Sequence, residues 1–380
     1  MYFFMWNPSV NLINRKVVLA IETSCDDTSL ALVAYDGESF EVVEMHQATQ
    51  EDIHQHFGGV VPELAYRSHA TQLLVLLEKI GIERLRCVCD GIAVTSFPGL
   101  PGSLLVWRSC AHFLSHILEK PIIEVHHIMW HVFSLLCDRS RDILQVPYVC
   151  LTVSGGHNDL YYVDYVWSTP TKEDLAVLLG EADTTWWSMH TKMGHIWRGE
   201  AYRVWPFEVI KLWQTLDDAA GEAFDKVARM LWGPYPGGAR IGQMALWGKD
   251  ITHPLAEDIF RDTHKQLPRF CVSFSGLKSQ LVYALDQHPT LVHDEQRVAR
   301  VAYLFQERVV TLLSALLVDA YETFQPHTLA VCWGVAANHR LRERVSELVP
   351  DPFFPISIQY CTDNAWMIGV AWILDLFCSS

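Results

Sequence analysis

The sequence predicts an α/β protein of two related lobes, each carrying a mixed sheet. Three features predict it. The plan strand, polar turn, strand occurs twice, as KVVLAIETSCDDTSLALVAYD (residues 16–36) and as PYVCLTVSGGHNDLYYVDYV (residues 147–166). Short apolar runs alternate with stretches of helical period, the pattern of sheets covered by helices. At 380 residues the chain is long for one core and fits two. The two copies stand too far apart for a solenoid repeat. A duplicated lobe explains them, and in such a pair the two turns can face each other across a ligand cleft.

The elements follow in order. SFEVVEMHQA adds a third strand to the first hairpin, and PELAYRSHATQLLVLLEKIG reads as an amphipathic helix. CDGIAVT is a strand, PGLPGS opens a second helix, PIIEV is another strand, and the histidine-bearing VHHIMWHV turns into a helix. The second half is mostly helical, with strands near FCVSF and TLAVCWG. Residues 168–212 show weaker periodicity and read as an insertion that holds the paired Trp186 and Trp187. The expected division is lobe I over residues 1–142, with a last helix at 358–380 packing back on it, and lobe II over 143–357.

Half of the residues are hydrophobic, enough to fill a large interior. No apolar run reaches the length of a bilayer span. The opening MYFFMW is too short for a signal h-region and no small-residue cleavage site follows it. The 10 cysteines form no C-x-x-C pair, which points to reduced thiols. A cytoplasmic protein without membrane association is expected. The formal charge of −15 argues against broad binding to phosphate backbones, so a nucleic acid would need a local basic patch or a helping protein.

Several stretches could carry chemistry. His127 and His131 are four apart, hence neighbours on a helix, and could close on one metal ion with a third ligand from elsewhere. A helix face merely lined by histidines is the plain alternative, and the lack of H-E-x-x-H argues against a zinc peptidase. SGGH (Ser154–His157) is either an ordinary hairpin turn or one whose glycines let the backbone approach a ligand. PGLPGS (Pro98–Ser103) could offer helix N–H groups to an anion, though it lacks the lysine of a P-loop. DDAAGEAFDK (Asp217–Lys226) reads as a helix with acids in its first turn, and Asp225 could reach ribose hydroxyls. PYPGG (Pro234–Gly238) follows as a rigid turn, and Asn338 in GVAANHRLR could hydrogen-bond a ligand. Asp363 in CTDNAWMIG is the expected N-cap of the last helix, worth about 1 kcal/mol, and a capping Asp can also turn an oxygen to a metal.

Taken in order from residue 20 to 369, AIETSCDDTSLALV, HFGGVVPELAYRSH, PGLPGSLLV, VHHIMWH, VSGGHN, TLDDAAGEAFDKVARML, YPGG, VSFSGLKS, GVAANHRLR and CTDNAWMIG resemble one family closely. That family is TsaD, the tRNA threonylcarbamoyladenosine transferases once labelled glycoproteases. The resemblance covers nearly the whole chain apart from its start and the stretch 168–212. It implies the two-lobed actin-like and sugar-kinase (ASKHA) fold with duplicated RNase H-like lobes. It implies an acyltransferase that moves a threonylcarbamoyl group from threonylcarbamoyl-AMP to N6 of the adenosine beside the anticodon, in tRNAs reading codons that begin with A. By motif match, His127, His131 and Asp363 hold one divalent metal ion, iron or zinc. Thr152, Val153, Ser154, Gly155, Gly156, Asp225, Gly238 and Asn338 hold the adenylate. No general base is assigned. The implied partners are tRNA together with TsaB-like and TsaE-like proteins, or a second copy in a homodimer.

The sequence also departs from the family pattern. Phe97, Trp107, Met129, Trp130, Trp213, Trp232, Trp333 and Trp366 stand where smaller or acidic residues are expected, and Gln214 replaces Glu. A glycine at positive φ cannot become Trp without strain, so these changes are expected to narrow or reshape the cleft. The second reading is therefore a catalytically impaired paralogue that keeps metal and nucleotide and acts as a scaffold. An ATP-using kinase of the same superfamily is disfavoured by the intact transferase-specific stretches.

Overall fold

The computed structural model describes residues 2–7, 9–136, 139, 143–170, 174, 188–191, 194–197, 201–204, 206–231, 233, 236–261, 270–355 and 358–376. Trp186, Trp187, Trp232, Pro234 and Tyr235 lie outside the described residues. The chain divides into two compact units. The first comprises Met1–Gln145, Arg203–Pro206 and Pro355–Ser380, the second Val146–Tyr202 and Phe207–Phe354.

The first unit is built on a six-stranded sheet. Its strands are β1 (Tyr2–Trp6), β2 (Lys16–Glu22), β3 (Thr28–Tyr35), β4 (Phe40–Ala48), β5 (Gly91–Phe97) and β6 (Ile122–His126), in the order β1-β4-β3-β2-β5-β6. β2, β3 and β4 run antiparallel, whereas β5 and β6 lie parallel to β2, so the sheet is mixed. β3 is an unbroken run buried at every position, as a strand covered on both faces must be. Helices α1 (Pro62–Ile80) and α2 (Pro101–Leu118) each begin with a proline, which loses no hydrogen bond in a first turn. Their Leu73, Leu76, Trp107 and Ala111 share a core with Val17, Leu19 and Ile21 of β2. Helix α3 (His127–Phe133) follows β6 without a linker.

In the second unit, β7 (Tyr148–Val153) and β8 (Asn158–Tyr165) form the repeated hairpin. A small hairpin, β9 (Ser188–Thr191) with β10 (Gly194–Trp197), and a short strand β11 (Ala201–Val204), in which the chain passes from the second unit to Arg203–Pro206 of the first, lead to β12 (Phe207–Gln214). β12 pairs antiparallel with β8 and is a full member of the sheet, although most of it lies inside the stretch 168–212 expected as an insertion. A bulge between Lys211 and Trp213 breaks its alternation, which hid the strand. Helices α4 (Ala220–Met230), α5 (Gly238–Gly248), α6 (Ser275–Gln287) and α7 (Glu295–Phe324) come next, then β13 (Thr328–Cys332) parallel to β7, and α8 (His339–Leu348). By length and composition α7 could cross a bilayer, contrary to the expectation from apolar runs. Its Val301, Phe305, Val309, Leu313 and Leu317 are buried instead, as in the core helix of a domain.

Two expected features differ. FCVSF forms no strand, because Asp217 accepts the amides of Phe274 at 2.9 Å and Ser275 at 3.2 Å and so caps α6. Asp217 and Asp218 also lie ahead of α4 rather than in its first turn, which contains Glu222. Asp218 instead pairs with Lys226 at 3.1 Å and Lys278 at 2.8 Å.

The last helix, α9 (Ala365–Leu376), belongs to the first unit and packs directly on its sheet. Glycines allow the close approach: a Cβ on Gly91 would stand 2.0 Å from Trp372, and one on Gly369 would stand 2.5 Å from Val33. The bulky residues noted in the sequence are mostly interior. Trp107, Met129, Trp130, Trp213 and Trp366 are buried within their units, while Phe97 is exposed. The indole N–H groups of Trp107, Trp130, Trp213, Trp366 and Trp372 meet no acceptor among the described residues. Each such buried donor costs about 1–3 kcal/mol.

Trp333 differs from these. Its φ of 78° and ψ of −175° fall in a region that only glycine enters freely. Alanine normally stabilises relative to glycine by about 0.4–1 kcal/mol. At position 333 the order should reverse, because Ala retains the backbone strain of about 1–3 kcal/mol that Gly removes. In urea unfolding, Trp333→Gly is expected to be more stable than Trp333→Ala by about 1–2 kcal/mol; the opposite order would show that the backbone there is unstrained.

Candidate functional site

The centre of the first unit is a buried carboxylate. Glu22 is the last residue of β2 and is fully buried. Its Oε1 accepts the Ser24 amide at 2.5 Å, and its Oε2 accepts the hydroxyl of Thr95 from β5. β6 lies one strand beyond β5, so the step from β6 into α3 brings His127 to the same point. His127 Nδ1 donates to Glu22 Oε2 at 3.0 Å. That bond fixes the tautomer and turns Nε2 away from the carboxylate.

His127 Nε2 then faces His131 Nε2 at 3.2 Å, one turn further along α3. Asp363 completes the group: its Oδ1 is 3.1 Å from His131 Nε2 and 3.5 Å from His127 Nε2. Asp363 does not cap α9. Asn364 does, accepting the Met367 amide at 3.2 Å, while the Ala365 amide donates to Ser29 Oγ at 3.0 Å. Relieved of capping, the Asp363 carboxylate can point at the histidines. Gln47 holds its backbone in place, donating to the Asp363 carbonyl at 3.2 Å and to Asp27 at 2.9 Å.

The three donor atoms fit a cation. Zinc bonds of about 2.0–2.1 Å in a tetrahedron place ligand atoms roughly 3.3 Å apart, and the observed triangle brackets that spacing. Two imidazoles and one carboxylate are donors that iron and zinc both accept. The charge balance agrees, since Glu22 and Asp363 together match one divalent ion when both histidines are neutral. Without an ion a proton must take that role. Burial disfavours charge on His127, yet Glu22 and Asp363 outweigh it and raise its pKa to about 10. Burial, with the neighbouring His127, lowers His131 to about 4. Burial alone would raise Asp363, but His127 overrides it and holds the carboxyl well below the usual range.

PGLPGS packs against this group. A Cβ on Gly99 would stand 2.6 Å from the Ser24 carbonyl oxygen, and the Leu100 amide donates to that oxygen at 2.7 Å. The Leu100 amide therefore braces the Ser24 turn.

The eight residues matched to the adenylate all lie in the second unit. Thr152 and Val153 end β7 in buried positions. Ser154 Oγ accepts the amides of Gly156 at 3.1 Å and His157 at 2.9 Å, so SGGH is a closed turn. Nothing lies within 4 Å of where a Cβ would sit on Gly155 or Gly156, so the turn borders open space. Asp225 accepts the Gly237 amide at 2.6 Å and fixes the turn into Gly238, the first residue of α5. Burial raises the pKa of its carboxyl. Asn338 caps α8 by accepting the Leu341 amide at 3.1 Å and donates to Gln306 at 2.9 Å. Ser154, Asp225 and Asn338 thus hold loops at the carboxyl ends of β7 and β13 and at the start of α5.

Glu22 escaped the sequence reading. Its signal was present, a lone carboxylate closing the apolar strand KVVLAIE, but nothing in the spacing tied it to His127, 105 residues away.

Two mixed sheets with helices, one in each of two units, define a two-unit α/β protein. The solved structure of HypF from T. kodakarensis matches 96% of this chain and 48% of its own length with a TM-score of 0.51 at 11% identity, a likeness of fold alone. The profile of the family described as TsaD, tRNA N6-adenosine threonylcarbamoyltransferase, matches residues 41–181 and 198–370. A protein of that name from Kosmotoga olearia is 36% identical over 360 residues, covering 93% of this chain and 91% of the relative. One from Gloeothece citriformis is 37% identical over 365 residues, covering 93% and 90%. The chain belongs to this family of transferases.

Because Glu22 orients His127 and is not among the three candidate ligands, its loss should weaken metal binding without abolishing the site. Glu22→Gln is expected to lower zinc affinity by about 10–100-fold in a competitive chelator titration. Unchanged affinity would remove Glu22 from the metal centre.

Proposed function

We propose that this chain transfers a threonylcarbamoyl group from threonylcarbamoyl-AMP to N6 of the adenosine beside the anticodon, in tRNAs reading codons that begin with A. The observation that carries the reading is the convergence of His127, His131 and Asp363 on one point, within a chain that matches the transferase family along nearly its whole length. The three residues would hold one divalent ion, iron or zinc. When bound, such an ion supplies a Lewis acid that can polarise an acyl oxygen.

The reaction balances simply. The adenine amino nitrogen bonds to the carbamoyl carbon, the bond from that carbon to the AMP phosphate oxygen breaks, and a proton leaves the nitrogen. An aromatic amine is a weak nucleophile, so the activated adenylate and the positioning of the two reactants supply most of the acceleration. The chain's part is orientation. Glu22 keeps His127 in one tautomer, burial keeps bulk water from the two imidazoles, and the loops bearing Thr152–Gly156, Asp225, Gly238 and Asn338 would hold the adenylate.

A net charge of −15 favours help in binding tRNA, and TsaB-like and TsaE-like proteins or a second copy would supply it. Leu74 on α1 and Leu105 and Phe113 on α2 are exposed, which supports an apolar protein contact on these helices. The place of action is the cytoplasm, where tRNA is modified. The scaffold reading keeps metal and nucleotide but no turnover, and the intact trio gives it no advantage.

The test is reconstitution. Purified protein with tRNA, threonine, bicarbonate, ATP and an adenylate-forming enzyme should yield threonylcarbamoyladenosine in nuclease digests read by mass spectrometry. Asp363→Ala and prior treatment with a chelator should each lower the yield at least 100-fold, as loss of a metal ligand does. Full yield from the chelated protein would exclude a metal-dependent transferase. No yield from metal-loaded protein would favour the scaffold.

A further inference from the structure

The loop after β13 carries a residue that its backbone does not suit. β13 pairs with β7 so that Cys332 lies opposite Thr152, which sets Trp333 beside the start of the SGGH turn. Trp333 adopts φ 78° and ψ −175°, and its carbonyl accepts the Ala336 amide at 2.9 Å, which fixes the bend. Its indole lies nearly parallel to the His157 ring, with centroids 6.3 Å apart and planes 12° from coplanar. Only 7% of Trp333 is exposed. The space over Gly155 and Gly156 is open, whereas their neighbour His157 is flanked by the indole. In open α/β sheets, ligands bind outside the carboxyl ends of the strands, and both loops leave such ends. A bulky side chain held in a glycine-only conformation at such a place is an outlier that calls for a functional account.

We propose that Trp333 is a steric gate on the nucleotide subsite of the second unit, its indole covering the side of the SGGH turn at which an adenylate phosphate and ribose would enter. This rests on the reading that Thr152–Gly156, Asp225, Gly238 and Asn338 hold the adenylate. The gate sets how large a ligand the loops accept and how tightly, because the indole takes up the side of the turn that flanks His157.

Calorimetric titration of AMP into the full-length protein tests this. Trp333→Gly and Trp333→Ala should each bind AMP at least tenfold more tightly than the parent, whereas Trp333→Phe, which keeps a ring, should bind like the parent. Agreement of the Gly and Ala variants assigns the effect to the removed ring rather than to the backbone. Equal or weaker AMP binding by both variants would overturn the gate. Asp225→Asn, made in the Trp333→Gly background, tests the underlying reading separately. If it weakens AMP binding while Trp333→Gly matches the parent, the subsite stands and the gate falls. If AMP binds none of these proteins, both fall.

Discussion

The first unit depends on one contact between distant parts of the chain, that of Asp363 with His131 across 232 residues. Everything near it serves to make that contact at 3.1 Å. Gly91 and Gly369 let α9 sit on the sheet without a gap, and Asn364 takes over the capping that Asp363 would otherwise perform. Glu22, at the end of β2, then sets the imidazole that completes the triangle. Bringing two carboxylates and two imidazoles out of water is costly unless a cation joins them. A fold that draws them together and braces the first imidazole with Glu22 has the donor set of a candidate site for a cation.

Much of this was legible in the sequence, and the limits are physical. The paired hairpins, the helix at Pro62–Ile80 and the histidines on one helical face follow from period and composition, which are local. The motif resemblance then pointed to Asp363 as the third member of the group. Roles that depend on long-range contact were not legible. Asp217 reads as an acid opening α4, but it caps α6 because a chain segment 57 residues away brings its amides there. Asp363 reads as a cap for the same reason in reverse, since only the fold shows that Asn364 has taken the position. β12 escaped because its bulge shifts the alternation by one residue.

The tryptophans show where local and global demands conflict. Trp107, Trp130, Trp213, Trp366 and Trp372 fill the interior at the expense of buried donors with no acceptor among the described residues, and the packing around Gly91 leaves room for Trp372 only because 91 has no side chain. Burial of so large a ring returns more than an unmade indole hydrogen bond removes, which is why the sheets remain regular around them. Trp333 is different in kind, because its cost lies in the backbone and no amount of packing changes the φ that its loop demands.

That difference matters most in the second unit. Ser154 Oγ is bonded to the amides of its own turn, Asp225 to the turn before α5, and Asn338 to the start of α8. Side chains expected to grip an adenylate are thus already committed to shaping the loops. A ligand placed there would be held chiefly by backbone groups and by fit, as at other glycine-rich turns that approach phosphates closely. Where fit rather than side-chain hydrogen bonding sets affinity, the volume of one neighbouring ring outweighs any single polar contact. On the proposed reading, the indole beside His157 is then the feature of this unit to which nucleotide binding is most sensitive.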